Sequence, residues 1–486
     1  MARYILKTLG CKANLYDSQI LEEELQKKGW GPLEGSGDSG EVNLCIVNSC
    51  TVTDEADKQT RKMLARLAKE NPTAKIVVTG CGAEVNPEGF LKASGVHYVV
   101  GNQDKHQLVN LVTSDIPSTR SPENPPTPPT PKILGSVQNY LGILSKHPMD
   151  REWPAASDSF QTPPTHLQGY SDKTRAFLKI QEGCDSFCTY CIIPYGRGPS
   201  RSLRPREVLE QVRELVSEGI REIVITGTNI GDYGMDWGQP ALGDLLEMIL
   251  AETTLERLRV SSLDPTEITP QIIHLMEQNP RFCPHFHVSL QSPHSRILRL
   301  MKRKYSFDEV KACLERIAEI PAPLGGVFVG MDIITGFPGE TEEEFEWGVE
   351  ALTKLPWSRL HVFPYSERSG TPATRLPNSV PQSVRVKRAR RLTQLSMERL
   401  TQNYRKVLEE AQRSQLLLDS ILMEKKGEGN WVAGYTPNYL RILLPSMDLA
   451  VERNHLVSVN PKELMIDSRG SDVALVSALN HRAASV

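Results

Sequence analysis

Hydrophobic residues in the first 114 positions fall into short blocks with two different periods. Residues 4–7, 42–48, 75–79 and 96–100 are apolar runs of strand length. Between them, 14–28 carries Leu15, Ile20, Leu21 and Leu25 near helical spacing and stops at Gly29, and 53–70 is a helix ended by Asn71-Pro72. This alternation predicts a parallel sheet with helices on both faces, and ligands at the carboxyl ends of its strands. The alternation returns over 171–375, with strands predicted at 177–181, 222–226, 257–262, 285–290, 327–335 and 359–363. Helices such as 205–218 and 242–251 fall between these strands. Six parallel strands suit an open, three-quarter β/α barrel with its site at the strands' carboxyl ends. A long polar helix follows at 384–412, then a strand-rich stretch at 415–468 with a turn at 427–430 and a strand at 439–444. The tail after Asp467 is expected to be disordered.

Residues 115–170 break both periods. Six prolines occupy the eleven residues 121–131, and Ser and Pro stay frequent to Thr165. Such composition predicts an extended tether. The expected divisions are therefore an α/β domain at 1–114, a linker at 115–170, a barrel domain at 171–380, a basic connecting helix at 381–414 and a small β-barrel at 415–468.

A length of 486 residues suits about three domains at about 150 residues each. The net charge of −3 gives no global attraction to nucleic acid, so any such contact must come from a local patch. No run reaches the ~18 apolar residues a membrane span needs, and the chain runs from Met1-Ala2-Arg3 straight into a strand. No membrane association and no signal peptide are expected. Nine cysteines scattered along such a chain argue for metal or catalytic thiols in a reducing cytoplasm rather than a disulfide framework.

The chemistry concentrates in 183–198, which reads GCDSFCTYCIIPYGRG. Cys184, Cys188 and Cys191 form a C-x3-C-x2-C pattern. Three thiolates at this spacing suit three irons of a 4Fe–4S cubane and leave the fourth iron open. A zinc knuckle is the competing reading, although zinc prefers four ligands in pairs and no second Cys/His pair follows. The stretch resembles the radical S-adenosylmethionine (SAM) enzymes. That resemblance implies that the open iron binds the amino and carboxylate groups of SAM's methionine, and that an electron from the cluster releases a 5′-deoxyadenosyl radical.

Three further cysteines follow predicted strands: Cys11 in TLGCKAN, Cys50 in NSCTVT and Cys81 in TGCGAE. Adjacent strands would bring the three thiols to one edge and suit a second cluster. Ordinary buried cysteines are the alternative, and Cys45, inside LCIVN, fits that description. Together with the first triad, the three resemble the methylthiotransferase family, which carries a second 4Fe–4S cluster in its N-terminal domain and inserts a methylthio group into an unactivated C–H bond. The opening KTLGCKANLYDSQ most resembles the branch acting on N6-threonylcarbamoyladenosine in tRNA. The resemblance implies an open radical-SAM barrel, two 4Fe–4S clusters, SAM, a tRNA partner, a sulfur donor and an electron donor such as flavodoxin or ferredoxin.

Candidate SAM contacts lie at strand ends. Thr228 and Asn229 follow the second barrel strand, Ser261 and Ser262 end the third, and Ser289 and Gln291 end the fourth. Asp332, within the fifth, matches the family's position near the ribose. Each is equally explained as a turn former or strand cap. Arg299, Lys302, Arg303 and Lys304 suit a solvated helix end or an RNA phosphate. His361 and Tyr365 are substrate-side or packing residues. The eight Lys/Arg between Arg385 and Lys406 suit a phosphate-tracking face or a solvated one. The last domain resembles the TRAM domain, an RNA-binding barrel in which Trp431, Tyr435 and Tyr439 would stack bases or fill a core and a turn.

Three readings stay open on substrate and class. Close relatives act on isopentenyladenosine in tRNA or on a ribosomal-protein aspartate. A non-catalytic, metal-stabilised RNA-binding protein is the rival from another class. A threonyl carboxylate requires a cationic or amide-donor pocket and an isopentenyl group an apolar one, and no stretch of the sequence places either.

Overall fold

Strands β1 (Arg3–Thr8), β2 (Gly31–Pro32), β3 (Leu44–Ser49), β4 (Lys75–Gly80), β5 (Tyr98–Val100) and β6 (Lys132–Leu134) form one all-parallel sheet in the order 2-1-3-4-5-6. The computed structural model describes residues 2–33, 41–113, 131–134, 174–322, 324–426, 431–445, 454–468 and 473–477. Alternate side chains serve the two faces. Leu44 and Ile46 join the core on one side, and Cys45 and Val47 the core on the other. Helix α1 (Lys12–Lys27) begins directly at Cys11. Helix α2 (Asp54–Glu70) is capped by the Thr53 side chain and carries Asp54, Glu55 and Asp57 in its first turn, where carboxylates favour the helix dipole. Helix α3 (Cys81–Val85) follows β4 without a gap.

The tether expected over 115–170 is corrected at one place. Lys132–Leu134 pairs in parallel with β5 and belongs to the first sheet. The rest of that segment, including most of the proline run, lies outside the described residues, as does the turn predicted at 427–430.

The second unit curls through β7 (Arg175–Glu182), β9 (Glu222–Gly227), β10 (Arg257–Val260) with β11 (Ser262–Leu263), β12 (His285–Gln291), β13 (Phe328–Thr335) and β14 (Arg359–Pro364). A short antiparallel strand, β8 (Arg201–Ser202), pairs with β7. The strand expected over 257–262 is broken at Ser261: β10 pairs with β9, and β11 with β12. Outward residues such as Ala176, Leu178 and Ile180, or Phe286, Val288 and Leu290, enter one continuous core under the helices. Their neighbours at period two face the barrel lumen, where Arg259, His285, His287, Arg359 and His361 line one cavity. Tyr16 of α1 joins the barrel core, so the first domain packs on β7 and β9.

The helix Gln382–Ser414 packs first on β14. Its later residues Leu400, Tyr404, Val407 and Ala411 enter the core of the third unit. That unit is a mostly antiparallel sheet in the order β18-β15-β16-β17-β20-β19, with β15 Leu418–Lys426, β16 Trp431–Tyr435, β17 Arg441–Pro445, β18 Leu456–Val459, β19 Leu464–Asp467 and β20 Ala474–Ser477. The last strand corrects the expectation of a disordered tail. Val473 and Leu475 are fully buried in the sheet's core, and β20 pairs with both β17 and β19. Among the described residues no helix is long and apolar enough to cross a membrane.

Candidate functional site

The first sheet reverses its order between β1 and β3, which is where an open parallel sheet leaves a crevice at its carboxyl edge. Cys11 and Cys50 follow those two strands, and Cys81 follows the next one. Cys11 is exposed, whereas Cys50 and Cys81 are buried. The loop between β1 and α1 comes so close to Cys50 that a Cβ on Gly10, at φ +103°, would lie 2.6 Å from the Cys50 Cβ. Only glycine serves there. Burial pushes the Cys50 thiol up to about 12, helped by Cys81 and Cys11 and opposed by Arg197. Burial also raises Cys81, again opposed by Arg197. The three sulfurs thus share one local field. Cys45 lies in the hydrophobic core, away from it.

The second triad sits on the loop leaving β7. Cys188 is buried, and Cys184 and Cys191 are partly so. Burial raises Cys184 to about 11, and raises Cys191 with Cys188 and Cys184 adding to the effect. Arg303 donates from Nη1 to the Cys188 Sγ at 3.1 Å and from Nε to the Tyr305 hydroxyl at 3.0 Å, and it pairs with Asp264. Arg303 therefore belongs neither to a solvated helix end nor to an RNA-facing patch. It supplies positive charge beside the Cys188 sulfur. Among the described residues no three His, Cys, Asp or Glu side chains are close enough to share one metal ion. Three thiolates with a cationic donor beside them suit a cubane, which spreads its ligands over separate irons.

The segments that carry the two triads pack on each other. The short helix Ile193–Arg197, which ends the second motif, packs on α3. A Cβ on Gly196 would lie 3.2 Å from the Cys81 Cβ. Arg197, 2% exposed, crosses this contact and donates to Asn14 at 2.6 Å and Asp17 at 3.3 Å while pairing with Glu182. Lys105 meets Asp17 at 2.9 Å, and Lys179 bridges Asp17 and Glu182. Burial works against the Asp17 carboxylate, but Lys105, Lys179 and Arg197 outweigh it and hold Asp17 well below the usual carboxylate range. On the opposite flank Arg368 bonds the Thr51 hydroxyl beside Cys50 and meets Asp57 at 2.7 Å. Arg197, Arg368, Asp17 and Gln181 carried no signal in the sequence beyond the arginine in YGRG.

The strand-end residues are drawn together around the second triad. The Gln181 Oε1 accepts from the backbone N–H of Thr228 at 3.1 Å and of Asn229 at 2.8 Å. Its Nε2 donates to the Gly183 carbonyl at 2.9 Å. The Thr228 hydroxyl accepts from the Gly183 N–H at 3.2 Å, and the Asn229 amide donates to Asp232 at 2.7 Å. Ser261 is buried at the break between β10 and β11, and Ser262 registers with His287 on β12. The Ser289 carbonyl accepts from the Tyr305 hydroxyl, and Gln291 occupies a left-handed position, φ 63°, at an irregularity of β12. Asp332 lies deeper, its Oδ2 2.9 Å from the His287 Nε2. His361 stacks near His287 with centroids 5.1 Å apart, and burial followed by His287 pushes His361 down to about 4. Tyr365 is a packing residue, buried against Phe337.

Two RNA-facing expectations are corrected. Arg385 and Arg388 of the long helix are buried and paired with Glu367, Glu340 and Glu342. Lys387, Arg390, Arg405 and Lys406 remain exposed. The segment WVAGYTPNY docks on the amino-terminal ends of the barrel strands. Arg257 donates to the Thr436 carbonyl at 2.9 Å and Arg259 to that of Pro437 at 3.0 Å. The Arg259 guanidinium lies over the Tyr439 ring at 4.6 Å, and that of Arg175 lies over Tyr435 at 5.0 Å. Strand-start arginines, gathered by the buried Glu222, hold these aromatics against the barrel.

An open barrel of six parallel strands, whose first strand runs into a three-cysteine loop braced by a cation, defines a radical SAM enzyme. Residues 178–351 match the Radical SAM superfamily and residues 3–101 the Uncharacterized protein family UPF0004. The chain is 33% identical to the threonylcarbamoyladenosine tRNA methylthiotransferase MtaB of Bacillus subtilis, over 91% of this chain and 90% of that one. It is 34% identical to the protein of the same name from Rickettsia prowazekii, over 86% and 88% of the two chains. Among solved structures it resembles the radical SAM methyltransferase TsrM of Kitasatospora setae, with TM-score 0.50, 16% identity and 75% of each chain covered, which shows a shared fold. The chain belongs to the radical SAM methylthiotransferase family, in its MtaB-type branch.

Proposed function

We propose that this enzyme attaches a methylthio group to C2 of N6-threonylcarbamoyladenosine beside the anticodon of tRNA. The observation that carries the reading is the packing of α3, which starts at Cys81, on the Ile193–Arg197 helix that follows Cys191, in a chain aligned over nearly its whole length with MtaB proteins. Cys184, Cys188 and Cys191 would hold one 4Fe–4S cluster, and Cys11, Cys50 and Cys81 the other. When bound, these clusters and SAM supply the electron, the 5′-deoxyadenosyl radical, the methyl group and the sulfur.

The chain's own residues do the positioning. Gln181 fixes the Thr228–Asn229 backbone, and with Ser261, Ser262, Ser289, Gln291 and Asp332 this lines the SAM side of the lumen. Arg303 and Arg197 place positive charge beside Cys188 and Cys81, and Arg197 opposes the rise that burial gives the Cys81 thiol. The buried Asp17–Lys179–Glu182–Arg197 network closes the domain contact and keeps water from the radical. An external electron donor such as flavodoxin or ferredoxin and a sulfur donor complete the cycle.

Mass spectrometry of tRNA nucleosides from cells with and without the gene tests this reading. Loss of the methylthio form of threonylcarbamoyladenosine, with the unthiolated nucleoside accumulating, is expected. Loss of methylthio-isopentenyladenosine instead would assign the chain to the other tRNA branch.

A further inference from the structure

The barrel lumen closes at its amino-terminal end around a cavity of about 270 Å³ between the strands, α1 and the docked third unit. Lys12, Arg259, Arg359 and Arg441 line it, and no carboxylate does. Its aromatic walls include His285 and Tyr439, whose rings lie 4.8 Å apart. Several donors here have no acceptor. The buried Arg259 Nη1 has no partner although its Nε and Nη2 bind Glu222, and the buried His285 Nδ1 has none. No hydrogen bond or ion pair reaches the Lys12 ammonium among the described residues. The nearby acids are otherwise engaged, Glu222 by three arginines and Asp332 by His287. A buried donor without an acceptor is costly, so a cavity lined by Lys12 and the Arg259 Nη1 with no carboxylate suits an acceptor-only anion.

We infer that this cavity receives the carboxylate of the threonylcarbamoyl arm, with Lys12 and Arg259 as its principal partners. The inference rests on the substrate reading given above. The volume lies below the about 300–1,000 Å³ of a pocket that engulfs a whole drug-sized ligand, so it suits a side group rather than a nucleoside. Lys12 follows Cys11 in the chain and reaches the lumen from the first residue of α1. It couples the anion cavity to the N-terminal triad. An isopentenyl arm would leave the Lys12 ammonium and the Arg259 Nη1 without an acceptor, so the cavity also discriminates against that substrate.

Equilibrium binding of the full-length protein to three anticodon stem-loops tests the assignment. One RNA carries threonylcarbamoyladenosine, one carries its threonyl methyl ester, and one carries plain adenosine. The wild-type protein is expected to prefer the free carboxylate over the ester and over adenosine by about tenfold, the effect of one charge-assisted pair at about 1.4 kcal/mol. Lys12→Gln should lose most of that preference without weakening binding of the adenosine RNA. Lys12→Arg should retain it, which separates lost charge from lost fold. Equal weakening toward all three RNAs would assign the cations to backbone phosphate and overturn the inference, as would equal binding of ester and carboxylate by the wild type. A wild-type protein that leaves threonylcarbamoyladenosine unmodified in cellular tRNA overturns the substrate reading itself, and the cavity assignment with it.

Discussion

Cys184, Cys188 and Cys191 come from one eight-residue loop, whereas Cys11, Cys50 and Cys81 come from three turns separated by dozens of residues. The loop triad is a local device. Its spacing is set within the loop, and the loop is held by short-range contacts such as the Cys191 N–H to the Cys188 carbonyl at 2.9 Å. The N-terminal triad exists only because β1, β3 and β4 are neighbours in one parallel sheet and end at one edge. A local triad tolerates strain elsewhere in the protein. An assembled triad inherits every defect of the sheet and of the domain contact that covers it.

That contrast is broken most sharply by replacing Cys184, Cys188 and Cys191 with Ala together. Formation of 5′-deoxyadenosine should vanish while about four irons per chain remain on the N-terminal triad, one cubane's worth. Iron analysis and product chromatography check this, and persistent SAM cleavage in the triple variant would sink the assignment.

Arg197→Met comes next. It leaves Asp17 and Glu182 short of a buried partner and removes the cation facing Cys81. Breaking a buried pair in this way costs about 3–5 kcal/mol, read as a lowered Tm. The N-terminal iron should fall more than that of the loop triad. The same pair predicts a pH effect. The folded Asp17 pKa is depressed, so its contribution is present above the ordinary aspartate value of about 4 and is lost as pH falls toward the lower folded value. Thermal melts from pH 6 downward should show a steeper acid loss in the wild type than in Arg197→Met.

A smaller effect separates assembly from backbone strain. Gly10→Ala and Gly219→Ala both place a side chain at positive φ, which costs about 1–2 kcal/mol. Only the Gly10 Cβ meets Cys50, while Gly219 faces open space. Iron bound by the N-terminal triad should drop in the first variant and stay level in the second. Equal iron in both would show that the loop yields without moving Cys50.

Gln181→Leu gives a change confined to the SAM side. It strips the acceptor from the Thr228 and Asn229 amides, a loss of about 1–3 kcal/mol in an unsatisfied pair. SAM affinity by equilibrium dialysis should fall by about tenfold, with both clusters retained.

The sequence by itself determined the element order, the loop triad and the three strand-end cysteines. Period-two runs and glycine stops mark strands and helices locally, and cysteine spacing within one loop needs no tertiary knowledge. It also separated Cys45 from its neighbours, because Cys45 falls on an inward position of an unbroken apolar strand. The tertiary structure alone decided which charges are buried and which are free. Arg303, Arg385 and Arg388 look in sequence like parts of basic patches, yet each is enclosed with its own carboxylate. Tyr435 and Tyr439 look like a base-stacking pair, yet strand-start arginines hold them against the barrel base. Whether a charge or a ring meets RNA or protein depends on partners far away in the chain. Strand order likewise brings Lys12 beside Arg259 in a cavity without acids. Local patterns encode conformation, but electrostatic environment is a property of the packed whole.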